Sequence, residues 1–187
     1  VEHSRFIKNN ATGDGGALYC HGASSQIMDS YFKDNKASHG GAVRWENTTD
    51  GKILKSTFIS NFATVNAGAV SWLNSTRGVI NGSVFKLNCA STGVGGAIRW
   101  SGSNGTIFDA TFINNTAYGH GGAISWAEIA ANGKILNSRF INNTNSQGGA
   151  ITPHNNCIVE NCRFINNTAT KFYGGAISTE DGISSNN

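Results

Sequence analysis

The sequence predicts an all-β chain folded as a right-handed parallel β-helix of the pectate-lyase kind, a single-stranded solenoid of about seven coils of ~26 residues each. Three recurrences predict it. A phenylalanine returns at Phe6, Phe32, Phe58, Phe85, Phe112, Phe140 and Phe164, with spacings of 26, 26, 27, 27, 28 and 24 residues. An asparagine stands three residues after each: Asn9, Asn35, Asn61, Asn88, Asn115, Asn143 and Asn167. Later in each unit comes Gly-Gly-Ala with an aliphatic residue, as in Gly40-Gly41-Ala42-Val43 and Gly95-Gly96-Ala97-Ile98, with Ala67 replacing the first glycine once.

Each element of the unit follows from its residues. Five positions before each phenylalanine stands Val1, Ile27, Ile53, Ile80, Ile107, Ile135 or Val159, which gives an aliphatic strand. Two before it the residue is small: Ser4, Ser30, Ser56, Ser83, Ala110, Ser138 or Cys162. One before it the residue is variable and mostly polar. Small in, polar out, phenylalanine in is the period of two that marks a strand. The runs are too short and too interrupted by glycine for helices. The asparagine is expected at an inward turn, its amide bonding along the stack. Gly-Gly marks the turn into the Ala-Ile strand, because glycine reaches backbone angles closed to other residues.

A unit of this size with no helix cannot bury its apolar face alone. Stacking solves this, since each strand then pairs with its equivalent one coil away, about 4.8 Å along the axis. Like side chains fall into ladders, and seven coils make a rod roughly 30–35 Å long. Residues 1–187 are expected to form one domain that is a piece of a longer array. Val1 already lies in the aliphatic column, Ile183 opens an eighth coil, and no polar cap covers either end.

Composition narrows the function classes. Charged residues make up 13% of the chain, against about a quarter in an ordinary globular protein, so Asn, Ser, Thr and Gly must supply the polar surface. The net charge is +3 with scattered basic residues, which argues against a nucleic-acid partner. No apolar run reaches the ~20 residues that span a bilayer. Cys20, Cys89, Cys157 and Cys162 share no metal-ligand spacing, and no cofactor is called for. Cys157 and Cys162 are the one pair that could bond within a coil.

The paired motifs Phe-x-x-Asn and Gly-Gly-Ala-Ile resemble the repeats of chlamydial polymorphic outer-membrane proteins. The wider phrasing, Gly95-Gly96-Ala97-Ile98-Arg99-Trp100, Asn104-Gly105-Thr106-Ile107 and Phe112-Ile113-Asn114-Asn115-Thr116-Ala117, is similar to the adhesin-like surface proteins of methanogenic archaea such as Methanobrevibacter. The resemblance runs through nearly the whole chain. It implies secretion, surface display, and contact with glycans or proteins of other cells. It brings no catalytic residue. The coils around Gly148 and Gly174, which lack the following tryptophan, depart from it.

Candidate binding residues lie beyond the Gly-Gly-Ala turn. Trp45, Trp72, Trp100 and Trp126 fall in consecutive coils, with Cys20 and Pro153 in the flanking ones. If the strand alternates from Val43, the indoles point inward and form a core stack. If it ends at Arg44, they lie on the surface as a platform for sugar rings. The alternation favours the core. The neighbouring column of Tyr19, Arg44, Ser71, Arg99, Ser125, Thr152 and Ser178 has the opposite parity and should face solvent. Arg44 and Arg99, two coils or roughly 10 Å apart, would with Glu46 line a polar groove or simply a solvated face.

Catalysis is weighed and not expected. Gly119-His120-Gly121 resembles a polygalacturonase motif, but the Asn-Thr-Asp, Asp-Asp and Arg-Ile-Lys partners of that family are missing. Glycoside hydrolysis wants two carboxyl groups about 5–9.5 Å apart. The Asp and Glu residues are dispersed in sequence, with only Glu180-Asp181 adjacent. His120, like His39, reads as a turn residue. Of eight Asn-x-Ser/Thr sequons, the loop sites Asn47, Asn74 and Asn104 are the best candidates for N-glycosylation of a secreted chain. The expected function is a cell-surface attachment segment, with a carbohydrate-active enzyme or a structural stalk as the alternatives.

Overall fold

The computed structural model describes residues 1–22, 24–127 and 130–179. Among these residues the fold is an all-β parallel solenoid. Each turn contributes four short strands, as in Lys52–Leu54, Thr57–Ile59, Phe62–Asn66 and Val70–Leu73. The strands stack into one sheet of seven and three sheets of six, every pair parallel. Seven coils therefore hold for the phenylalanine sheet, while the other three sheets complete six turns. Ile183, expected to open a further coil, lies outside the described residues. Among the described residues no helix is long and apolar enough to cross a membrane.

Register follows the sequence columns. Phe58 pairs with Phe85 and Phe85 with Phe112. Ile53, Ile80 and Ile107 align in a second sheet. Ala37, Ala63, Ala90 and Ala117 point inward in a third. Val70, Ile98 and Ile124 point inward in the fourth. The phenylalanine rings from Phe6 to Phe164 stack with centroids 4.7 to 4.9 Å apart and planes within 7° of parallel. The strand spacing sets that distance, and offset stacking satisfies the ring quadrupoles at it.

Both corners around the phenylalanine strand share one construction: a left-handed residue, then an inward residue that is Ser or Asn except at Ala110 and Cys162. Before the strand the left-handed positions include Asp29, Lys55, Gly82 and Asp109, and after it Asp34, Ser60, Leu87 and Asn114. An L-residue there costs about 1–2 kcal/mol. Two buried ladders offset that strain. At the first corner, Ser30 Oγ donates to Met28 O and accepts from Ser4 N, and Ser56 Oγ donates to Leu54 O and accepts from Ser30 N. At the second, Asn88 Oδ1 accepts from both Asn61 N and Asn61 Nδ2, while Asn88 Nδ2 donates to Phe58 O. The same triad repeats from Asn35 to Asn167. The inward asparagine ladder is thus as the sequence predicts, and it buries amides with their partners in place.

The two glycines of each pair do different work. Gly40, Gly95 and Gly121 adopt φ values of 61 to 67°, and Ala67 holds the same left-handed backbone at 61°. At the second position a side chain would run into the backbone of the next coil: a Cβ on Gly41 would meet Gly68 O and Phe62 O. Every coil keeps glycine there, and the one substitution falls on the first position.

Candidate ligand-binding face

The strands after Gly-Gly-Ala, such as Val43–Glu46, Val70–Leu73 and Ile98–Ser101, carry all the binding residues expected from the sequence. These three run one residue past the tryptophan, so alternation holds through it, while Ile124–Trp126 ends at the indole. Val43 and Trp45 face the core, and Arg44 and Glu46 face out. Trp45, Trp72, Trp100 and Trp126 are fully buried with successive centroids 4.3, 4.2 and 4.9 Å apart, the first pair tilted by 36° and the other two stacked. They build no surface platform, because a fully buried ring offers no face to a sugar. Their Nε1 groups find no acceptor.

The outward column of this sheet is Tyr19, Arg44, Ser71, Arg99, Ser125 and Thr152. These side chains leave the core side, yet Arg44 is only 8%, Ser71 2%, Ser125 6% and Thr152 0% exposed. Tyr19 is 52% exposed and Arg99 half-buried, so the column is open at its first coil and covered unevenly beyond it. One wall is the row just before the Gly-Gly pair: Asp14, His39, Asn66, Val94, His120 and Gln147, joined coil to coil through the backbone. The column expected to be a solvated face is therefore the floor of a groove along the solenoid.

Arg44 organises one end of this groove. Its Nη1 donates to Ser71 Oγ at 2.9 Å, its Nε lies 3.6 Å from Asp14 Oδ2, and its Nη2 lies 3.7 Å from Glu46 Oε2. Tyr19 donates its hydroxyl to the same Glu46 oxygen at 3.0 Å, and that bond with the adjacent carboxylate raises the Tyr19 pKa. Asn66 Nδ2 donates to His39 Nδ1 at 3.3 Å, and burial holds the His39 pKa below its ordinary value. Asp14 and Glu46, 32 positions apart in sequence, thus flank one guanidinium. Linear spacing could not show this, because it needs the wall and the floor to be folded onto each other.

Arg99 is different. It is half-buried two coils from Arg44, and its Nε, like that of Arg44, is buried without a hydrogen-bond partner. Among the described residues no carboxylate forms an ion pair with it. Burial first, and then the Arg44 charge, lower its pKa.

The remaining candidates separate. Asn47, Asn74 and Asn104 are exposed and left-handed. Asn47 and Asn74 stand at equivalent positions, each donating its backbone N–H to the end of the next strand, whereas Asn104 stacks with Arg77 and Asn132 in a separate turn. All four cysteines are free, so the Cys157–Cys162 bond does not form. Cys157 points into the core at 1% exposure. Cys162 takes the serine-column place, its thiol donating to Glu160 O and accepting from Ser138 N. Among the described residues no group of three or more His, Cys, Asp or Glu side chains is placed to hold a metal ion. The Glu180-Asp181 pair lies outside the described residues.

The model of the Chlamydia polymorphic membrane protein repeat matches residues 3–21 and 109–125. Each segment runs from a phenylalanine strand through the asparagine corner to the Gly-Gly-Ala turn, so the likeness lies in the part of the coil that sets the fold. No curated protein and no solved structure matches the chain.

Proposed function

We propose that the chain is a surface-displayed attachment segment, adhesin-like in the manner of the methanogen surface proteins it resembles, whose solenoid holds a lateral groove toward glycans or proteins of other cells. The carrying observation is the groove itself. Its floor is one outward column repeated from Tyr19 to Thr152, polar at every coil, beside a core built wholly from ladders. Repetition suits many weak contacts whose avidity adds along the rod. The likeness to a membrane-protein repeat supports an extracellular location, and the exposed Asn47, Asn74 and Asn104 would carry glycans there. The test is binding of the purified chain to a glycan array and to intact cells. Saturable retention on either supports attachment; none on a broad panel of both removes it.

One observation favours a second reading, a carbohydrate-active enzyme. Asp14 and Glu46 meet across Arg44 in the groove, and paired carboxyl groups are what glycoside hydrolysis uses. Both oxygens nearest the guanidinium are taken up by it, which suits a structural pair better than an acid and a nucleophile. Release of reducing or unsaturated sugar ends, abolished by Glu46→Gln, would establish the enzyme instead.

A further inference from the structure

The phenylalanine sheet has an outer side, remote from the groove. Each of its seven strands is three residues long, with the phenylalanine turned inward and its two neighbours outward. Five of those fourteen outward residues are cations, Arg5, Lys33, Lys86, Arg139 and Arg163, and none is Asp or Glu. Six more are aliphatic, among them Ile113, Ile141 and Ile165 in consecutive coils. Basic residues scattered along the sequence are thus gathered on one sheet beside an aliphatic row. Lys33 has Asp34 at 4.0 Å, and Arg5 lies over the Tyr31 ring. Lys86, Arg139 and Arg163 are exposed and form no ion pair among the described residues. Arg139 and Arg163 are direct partners in neighbouring strands, about 4.8 Å apart, where like charges repel. The left-handed corners on either side add Lys8 and Lys55 against Asp29, Asp34 and Asp109, so the region stays net positive.

This pattern selects among occupants. A second copy cannot pair this side with its own, since cations would meet cations. An acidic polysaccharide or a nucleic-acid backbone would meet the arginines and leave the isoleucines in water. A folded protein partner draws most of its affinity from aromatic and arginine anchors in pockets, and the one aromatic residue here, Tyr31, is covered by Arg5. An anionic lipid surface supplies both halves at one plane: phosphates for the cations, and the boundary of the acyl region for aliphatic side chains. We propose that the outer side of the phenylalanine sheet seats the solenoid on an anionic lipid surface, with Arg139 and Arg163 taking headgroup phosphates and Ile113, Ile141 and Ile165 resting on the acyl boundary. In coil order one sheet separates this one from the groove sheet on either side, so a chain seated this way presents its groove away from the lipid. The inference goes beyond the attachment reading and does not depend on the groove's ligand.

The test uses the whole chain with phosphatidylcholine vesicles, plain or containing a third phosphatidylglycerol, and reads binding by co-sedimentation across a salt series. Binding to the anionic vesicles is expected, at least tenfold tighter than to the plain ones and weakening as salt rises. Arg139→Gln with Arg163→Gln is expected to lower it at least tenfold with an unchanged circular dichroism spectrum, since both side chains are exposed. Arg77→Gln with Lys171→Gln removes the same charge from outside the sheet and is expected to leave binding within twofold of wild type. Ile113→Thr, Ile141→Thr and Ile165→Thr together keep a strand-favouring residue at each place. That variant is expected to lose at least fivefold in vesicle binding while its retention on dextran sulfate stays unchanged. No preference for the anionic vesicles overturns the proposal. Equal loss in the two charge pairs overturns the assignment to this sheet. Wild-type vesicle binding by the isoleucine variant overturns lipid as the occupant and makes the side a site for polyanions.

Discussion

Gly78 lies against the indole of Trp100: a Cβ on it would sit 2.9 Å from Trp100 Cζ2 and 2.9 Å from Trp72 Cε2. The relation repeats. Gly51 faces Trp72, Gly105 faces Trp100 and Gly133 faces Trp126. The coils without tryptophan, those of Cys20 and Pro153, place Ser25 and Cys157 in the same column. Indole and glycine therefore form one packing unit: the bicyclic ring takes the space that a side chain fills in the flanking coils. Gly105→Ala is expected to destabilise the chain by about 1–3 kcal/mol through overpacking. Combined with Trp100→Cys, its cost should fall short of the sum by about 0.5–3 kcal/mol. Urea unfolding of the two single variants and the double variant measures this, and strict additivity would refute the packing unit.

The asparagine ladder makes a second expectation. Asn88→Ala would orphan the buried Asn61 N and remove two further buried bonds, from Asn61 Nδ2, which keeps Phe32 O, and to Phe58 O. At about 1–3 kcal/mol for the orphaned N–H and about 0.5–1.5 kcal/mol for each of the other two bonds, the loss should be about 2–6 kcal/mol, comparable with the roughly 3–5 kcal/mol expected for Phe85→Ala. Comparing the two variants by denaturant titration tests whether polar or apolar ladders dominate. A cost for Asn88→Ala below about 1 kcal/mol would mean that water replaces the amide.

The fold was legible because one coil is printed seven times. Phe, Asn and Gly-Gly each occupy a position whose physics admits few substitutes, so their spacing gives the register directly. The candidate site was legible only in part. Parity placed Arg44 and Arg99 on one outward column, but parity carries no curvature, and the wall from Asp14 to Gln147 turned an expected solvated face into a groove. The pairing of Asp14 with Glu46 around Arg44 needed three dimensions for the same reason. The tryptophans left two placements open until the strand was seen to continue to Glu46. The Gly51–Gly78–Gly105–Gly133 column was visible as a spacing, and its absence from the coils of Cys20 and Pro153 was the signal that would have assigned the indoles to the core.

Cysteine reactivity checks the core assignment of the thiols. Burial, and then the neighbouring Cys162, push the Cys157 pKa up to about 12. Its thiolate is therefore scarce at pH 8, and its sulfur is covered. Iodoacetamide at pH 8 is expected to leave Cys157 unmodified in the folded chain and to modify it fully in urea, by peptide mass mapping. Cys20, partly exposed in its strand, is expected to react in the folded state. Rapid native labelling of Cys157 would contradict the sixth coil as described.

The groove should also make stability depend on pH through His39. Burial lowers its pKa from the ordinary 6.5; Arg44 and Arg99 lower it further and Asp14 opposes them. The hydrogen bond from Asn66 Nδ2 to His39 Nδ1 requires that nitrogen unprotonated, in agreement with the direction. The folded state thus holds its proton less tightly than the unfolded state. Between the folded value and 6.5 the unfolded chain binds more protons, so stability rises with pH across that window. The contribution is complete above 6.5 and lost as pH falls through the lowered folded value. His39→Gln removes the titrating group, so the difference in urea midpoint between pH 7.5 and pH 5 should shrink relative to wild type. A variant with an unchanged pH dependence would show that His39 titrates as it does in water, and that the groove wall does not cover it.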